Sequence, residues 1–138
     1  MQLESKINIR RTEVLPLRCE ACGDHISTVE QGWVEWIDRL ENGHRVARRV
    51  RIVHVTRACR YRSDVLQPGE GVGDRALGDF FGDNGMSLLF EKISEGQFSQ
   101  DIVCELLKRL YVADYEKWIW NHKLHAGRIY WNGDAAWR

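Results

Sequence analysis

Polar and apolar positions change rhythm along this chain, and each rhythm predicts a different element. Over residues 32–55 they alternate with period two, in GWVEWIDRLE and HRVARRVRIVHV on either side of Asn42-Gly43. Branched and aromatic residues at alternate positions suit a pleated strand, and Asn-Gly suits the two positive-φ positions of a type I′ turn. The pattern predicts a hairpin pairing Glu41 with His44, Ile37 with Arg48, Glu35 with Val50, Trp33 with Ile52 and Gln31 with His54. In that register one face collects Trp33, Ile37, Val46, Val50, Ile52 and His54. The other collects Val34, Trp36, Leu40, Arg45, Arg49 and Arg51.

The alternation stops after the hairpin. Residues 67–84 are rich in Gly and Asp and are expected to form a linker, with one short helical turn around Leu77 to Phe81. A period of 3.6 then takes over. Met86, Leu89, Phe90 and Ile93 predict a helix over 85–95, and Ser99 is placed to cap a second helix carrying Ile102, Val103, Leu106, Leu107 and Leu110. A third is expected over 114–125, with Tyr115, Trp118, Ile119 and His122, and Gly127 at its end. The aromatic tail RIYWNGDAAWR reads as extended.

Together these elements predict an α+β protein. Its expected parts are a zinc-clamped β-hairpin module of ribbon or knuckle type over 1–66, the linker 67–84, and a three-helix segment over 85–138 packed against the module in one compact unit. A chain of 138 residues with six Trp has enough apolar content for a packed core.

Twenty Lys and Arg balance twenty Asp and Glu. The balance hides an asymmetry. Residues 1–62 carry twelve basic against eight acidic side chains, and residues 63–138 the reverse, eight against twelve. Two lobes that attract each other, or a nucleic-acid face on the first half, would both produce this. The N-terminal stretch holds no apolar run of signal-peptide length, so a cytoplasmic location is the expectation. Under reducing conditions disulfides are disfavoured, so the Cys-x-x-Cys pair is expected to be a metal clamp or a redox pair before a structural bridge.

The chemistry concentrates in C-E-A-C-G. Cys19 and Cys22 have the spacing of a metal knuckle, and Gly23 suits the tight return of the backbone toward the sulfurs. The hairpin brings His54 back toward them, and Cys59 follows within reach. These four residues are the expected ligands of a structural Zn²⁺, with His25 as a substitute for His54. Thiol–disulfide exchange is disfavoured, because no helix N-terminus follows the pair to lower a thiol pKa.

Arg45, Arg49, Arg51, Arg57, Arg60 and Arg62 belong to a run free of acids between residues 44 and 62, and could contact phosphates. The alternative is that they pair with the chain's own acidic half. Trp118, Trp120, Trp131 and Trp137 either close the helical core or offer anchors to a protein partner. Cys104 is expected to be a small buried side chain of the second helix.

The order C-E-A-C-G, G-W-V-E-W, R-I-V-H-V, a lone Cys and L-G-D-F-F-G-D-N-G resembles a loose group of small uncharacterised bacterial and phage-borne proteins. That resemblance implies Cys19, Cys22, His54 and Cys59 as matching positions and brings no activity with it. The functional expectation is therefore a non-enzymatic, zinc-stabilised binding or adaptor protein acting through protein–protein contacts. A nucleic-acid-binding regulator using the Arg run is the alternative, and a metal-dependent nuclease or hydrolase stands further off.

Overall fold

Three antiparallel strands with helices against one face form the body of the protein, an α+β arrangement. The computed structural model describes residues 17–112, 114–122, 124–125 and 128–129, with side chains described through residue 121. Strands β1 (Gly32–Glu41) and β2 (His44–His54) form the predicted hairpin around Asn42 and Gly43, at φ 50° and 87°.

The predicted register holds from the turn as far as Ile37 opposite Arg48 and then slips by one. The slip comes at Arg49, whose φ of 53° places an extra residue in β2. Beyond it Glu35 faces Arg51, Val34 faces Ile52, Trp33 faces Val53 and Gly32 faces His54. The expected faces are corrected accordingly. Val50 and Ile52 join Val34 and Trp36 on the core side, whereas Arg51 moves to the opposite side with Glu35. An uninterrupted alternation would have split the apolar residues between both faces; the bulge reunites them.

The segment 67–84, expected to be a linker, instead supplies the third strand, β3 (Glu70–Ala76), which pairs with β1 in the order β2-β1-β3. Its glycines misled the composition argument because one of them is a packing requirement. A Cβ on Gly73 would lie 2.2 Å from Nε1 of Trp36 on the neighbouring strand. The short helical turn expected next is present as a 3₁₀ turn over Leu77–Phe80.

Helices α1 (Gly82–Ser94), α2 (Gln100–Tyr111) and α3 (Tyr115–His122) follow. The Ser99 hydroxyl accepts from the Ile102 amide at 3.2 Å, the cap its position predicted. Helix α2 buries Ile102, Val103, Leu106 and Leu110 as expected. Helix α1 is rotated from expectation: it buries Leu88 and Leu89, while Met86 and Phe90 stay exposed. Helix α3 ends at His122, and two short strands, β4 (Leu124–His125) and β5 (Arg128–Ile129), come after it. Gly127 and the tail beyond residue 129, with Trp131 and Trp137, lie outside the described residues.

One core joins sheet and helices. Val34, Trp36, Val50 and Ile52 pack in the same cluster as Phe80, Leu89, Phe98, Leu106 and Ile119, with the Trp36 and Phe98 rings edge to face at 5.0 Å. The outer face of the sheet is covered by the chain between β2 and β3. Glu35 is fully buried there and accepts from Arg51 Nε at 2.8 Å, Arg60 Nε at 3.2 Å and the Tyr61 amide at 3.0 Å. Among the described residues no helix is long and apolar enough to cross a membrane.

Candidate metal centre

The chain enters the site through a tight turn. Leu17 and Ile26 close its base, with the Ile26 amide donating to the Leu17 carbonyl at 2.9 Å and both side chains buried. Between them the Cys19 amide donates to the Asp24 carbonyl and the Gly23 amide to the Cys19 carbonyl, each at 2.8 Å, with Gly23 at φ 85°. Two amides point at the first sulfur: those of Ala21 and His54 donate to Cys19 Sγ, each at 3.3 Å.

The turn docks on the outer edge of β2. The Glu20 amide donates to the Ile52 carbonyl at 2.9 Å, and the Ile52 amide returns a bond to Glu20 Oε2 at 2.7 Å. This lays Cys19 and Cys22 against the end of β2, where His54 emerges. A 3₁₀ turn over Arg57–Cys59 then folds Cys59 back toward the same point.

The sulfurs of Cys19, Cys22 and Cys59 and a ring nitrogen of His54 consequently lie within 4.8 Å of one another, near enough to hold a metal ion. His54 Nδ1 is 3.4 Å from Cys22 Sγ and 3.8 Å from Cys59 Sγ. Tetrahedral bonds of ~2.3 Å to sulfur and ~2.0 Å to nitrogen set ligand atoms roughly 3.5–3.8 Å apart, so the donors need little adjustment. His54 Nε2 lies 2.9 Å from the His25 carbonyl. A proton on Nε2 makes that bond and leaves Nδ1 as the free donor facing the sulfurs, the orientation an outer partner gives a metal-binding imidazole.

His25 itself is exposed and stands outside the cluster; it serves through its backbone, so the substitute ligand is not the one assembled. Burial would raise the Cys19 thiol pKa, but the amides of Cys22, His54 and Ala21 and the Cys59 side chain outweigh it and hold the value below normal. Cys22, by contrast, is pushed up to about 11, first by desolvation and then by the neighbouring sulfurs. One thiol is prepared to ionise, and the crowding of a second is what a bound cation would relieve.

A buried ionic network behind the turn escaped the sequence reading. Arg109 on α2 donates to both oxygens of Glu116 on α3, Nε at 2.8 Å and Nη2 at 2.6 Å, and Nη1 pairs with Glu20, which lies between Cys19 and Cys22. Glu116 also accepts from Trp120 Nε1 at 2.8 Å and from the Arg18 amide at 3.1 Å. Burial drives Glu20 up to about 7 against the attraction of Arg109, whose own pKa rises because the two carboxylates outweigh its desolvation. A signal was available: Arg109 falls three residues after Leu106 on the otherwise apolar stripe of α2.

The other nominated residues are dispersed. Arg45 pairs with Asp38, Arg49 with Glu70, Arg51 with Glu35, Arg60 with Glu35 and Asp74, and Arg62 with Asp64. Their partners come from both halves of the chain, so the expected attraction between a basic and an acidic half is only part of the account. Trp118 is exposed, while Trp120 is half-buried against the core with Arg18 over its ring at 4.6 Å. Cys104, expected to be buried, is exposed. No protein-family model, curated protein or solved structure matches this chain.

Proposed function

We propose that this chain is a small zinc-stabilised, non-enzymatic binding protein acting through contacts with a protein partner. The observation that carries the reading is the completeness of the donor set at Cys19, Cys22, His54 and Cys59. Three thiols and an imidazole favour Zn²⁺ over harder cations, and a closed tetrahedron of four protein ligands leaves no open coordination position for substrate. The metal then clamps three pieces of chain, the 17–26 turn, the end of β2 and the 3₁₀ turn after it, as a zinc knuckle does.

The surface for the partner is the helical side. Met86 and Phe90 one turn apart on α1, Val112 after α2 and Trp118 on α3 are all exposed, and a cleft of about 330 Å³ opens between α1 and the end of α2. Apolar side chains of this size left outside the core suit a partner's apolar segment. In the nucleic-acid reading, by contrast, the hairpin arginines would have to abandon carboxylates of their own chain.

Two measurements test the proposal. Metal analysis of the purified protein should find one zinc per chain, lost together with folding in Cys19→Ser; markedly less zinc in folded protein would sink the structural role. Photo-crosslinking from position 86 in cells should capture a defined protein whose complex disappears with Phe90→Glu or Trp118→Glu and survives Arg45→Glu. Capture unaffected by the helical substitutions, in a protein that keeps its zinc, would refute the partner reading alone.

A further inference from the structure

Beyond the metal and the helical face, the chain between β2 and β3 builds a cationic cleft. Its volume is about 830 Å³, and Arg57, Arg60 and Arg62 line it together with Val55, Ala58, Tyr61 and Ser63, with no carboxylate among the described residues of its walls. The three arginines differ in how they are held. Arg60 is fixed by Glu35 and by Asp74, at 3.2 Å and 2.5 Å, and its guanidinium lies over the Trp33 ring at 4.8 Å. Arg62 touches Asp64 at 3.2 Å, but the two side chains are 80% and 62% exposed, so solvent screens the pair and an incoming anion can replace Asp64. Arg57 has no carboxylate partner among the described residues.

The acids nearby are already shared. Glu35 serves both Arg51 and Arg60, and Glu70 serves both Arg39 and Arg49. Glu35 and Asp74 together answer Arg51 and Arg60, so the positive charge left over at the cleft is that of Arg57 and of the loosely paired Arg62. A concave basic site with low-dielectric walls concentrates anions.

The geometry selects among anions. The positive surface does not continue along the hairpin, because Arg45 and Arg48 are matched by Asp38 and Glu41, at 3.0 Å and 2.8 Å. The two aromatic rings beside the cleft each carry a guanidinium already, Arg60 over Trp33 and Arg51 over Tyr61. A polynucleotide backbone would want the opposite, a long basic track with open ring faces. A cleft of this volume is instead of small-ligand size, with Val55 and Ala58 as an apolar wall and the Ser63 hydroxyl beside the guanidinium forks. Such forks suit the oxygens of a phosphate dianion.

We propose that this cleft is a binding site for a small phosphomonoester, its phosphate held by Arg57 and Arg62 against the fixed Arg60 and its organic body resting on Val55 and Ala58. The proposal is independent of the partner reading, since it uses a different face of the molecule.

The experiment is calorimetric titration of the full-length, zinc-loaded protein with phenyl phosphate, inorganic phosphate and a single-stranded oligothymidylate. Saturable binding of phenyl phosphate is expected, tighter than that of inorganic phosphate. The double variant Arg57→Ala/Arg62→Ala should weaken it by at least about tenfold, the loss expected for charge-assisted hydrogen bonds. Zinc content and near-ultraviolet circular dichroism should stay unchanged, and Arg57→Lys/Arg62→Lys should restore part of the affinity. Absence of saturable binding at millimolar phenyl phosphate would overturn the proposal. So would equal binding by the double alanine variant, or oligothymidylate affinity that climbs with length and exceeds that of phenyl phosphate.

Discussion

At the scale of single residues, the candidate metal centre separates side chains placed to act as donors from those that serve through their backbone. His54 faces the three sulfurs with Nδ1, and His25 offers only a carbonyl to Nε2. His25→Ala should therefore retain one zinc per chain with its affinity nearly unchanged, whereas His54→Ala should lose more than the ~10–100-fold typical of an outer-shell partner, as read by competition with a chromogenic chelator. The three thiols and the two histidines that could join them were legible in sequence because thiol and imidazole chemistry is local to the residue. The choice between the two histidines was not, since it depends on how residue 25 is pinned opposite Arg18 in the turn. Gly73 makes the same point for packing. With Trp36 against its Cα, Gly73→Ala should cost ~1–3 kcal/mol in urea unfolding, although composition alone marked that glycine as linker.

At the scale of elements, what decided the sheet was one residue in β2. Arg49 at positive φ shifts the register so that Val50 and Ile52 reach the side of Val34 and Trp36. Deleting Arg49 should remove the bulge and set Val50 opposite Trp36 while Ile52 still faces Val34, so the core face is kept. The expected outcome is a cooperative thermal transition that survives the deletion, with loss of that transition as the contrary result. The hairpin turn and the Ser99 cap were readable because Asn-Gly and Ser act on neighbouring backbone. The bulge was not readable, because Arg has no local preference for positive φ and is held there by the strands and by Glu70. Helix α1 shows the same limit in another form. Two apolar stripes competed for the core, and packing selected Leu88 and Leu89 over Met86 and Phe90.

At the scale of the whole molecule, Arg109 ties the turn that carries Cys19 and Cys22 to the helices through Glu20 and Glu116. Arg109→Met would leave two carboxylates buried without their counter-charge and should cost ~3–5 kcal/mol in chemical unfolding. Adding Glu20→Gln and Glu116→Leu should recover much of that loss; a triple variant no more stable than the single one would show that the network acts in some other way. By itself, the sequence determined the α+β class, the hairpin turn, the helix spacing and the thiols of the candidate metal centre with two histidines that could join them, all of which depend on interactions between near neighbours or on the chemistry of one side chain. Only the tertiary structure decided the third strand, the strand register, the imidazole that completes the donor set and the buried Glu20–Arg109–Glu116 link. Each of these is a contact between residues distant along the chain, where many pairings satisfy the same local preferences and burial in a shared core selects one.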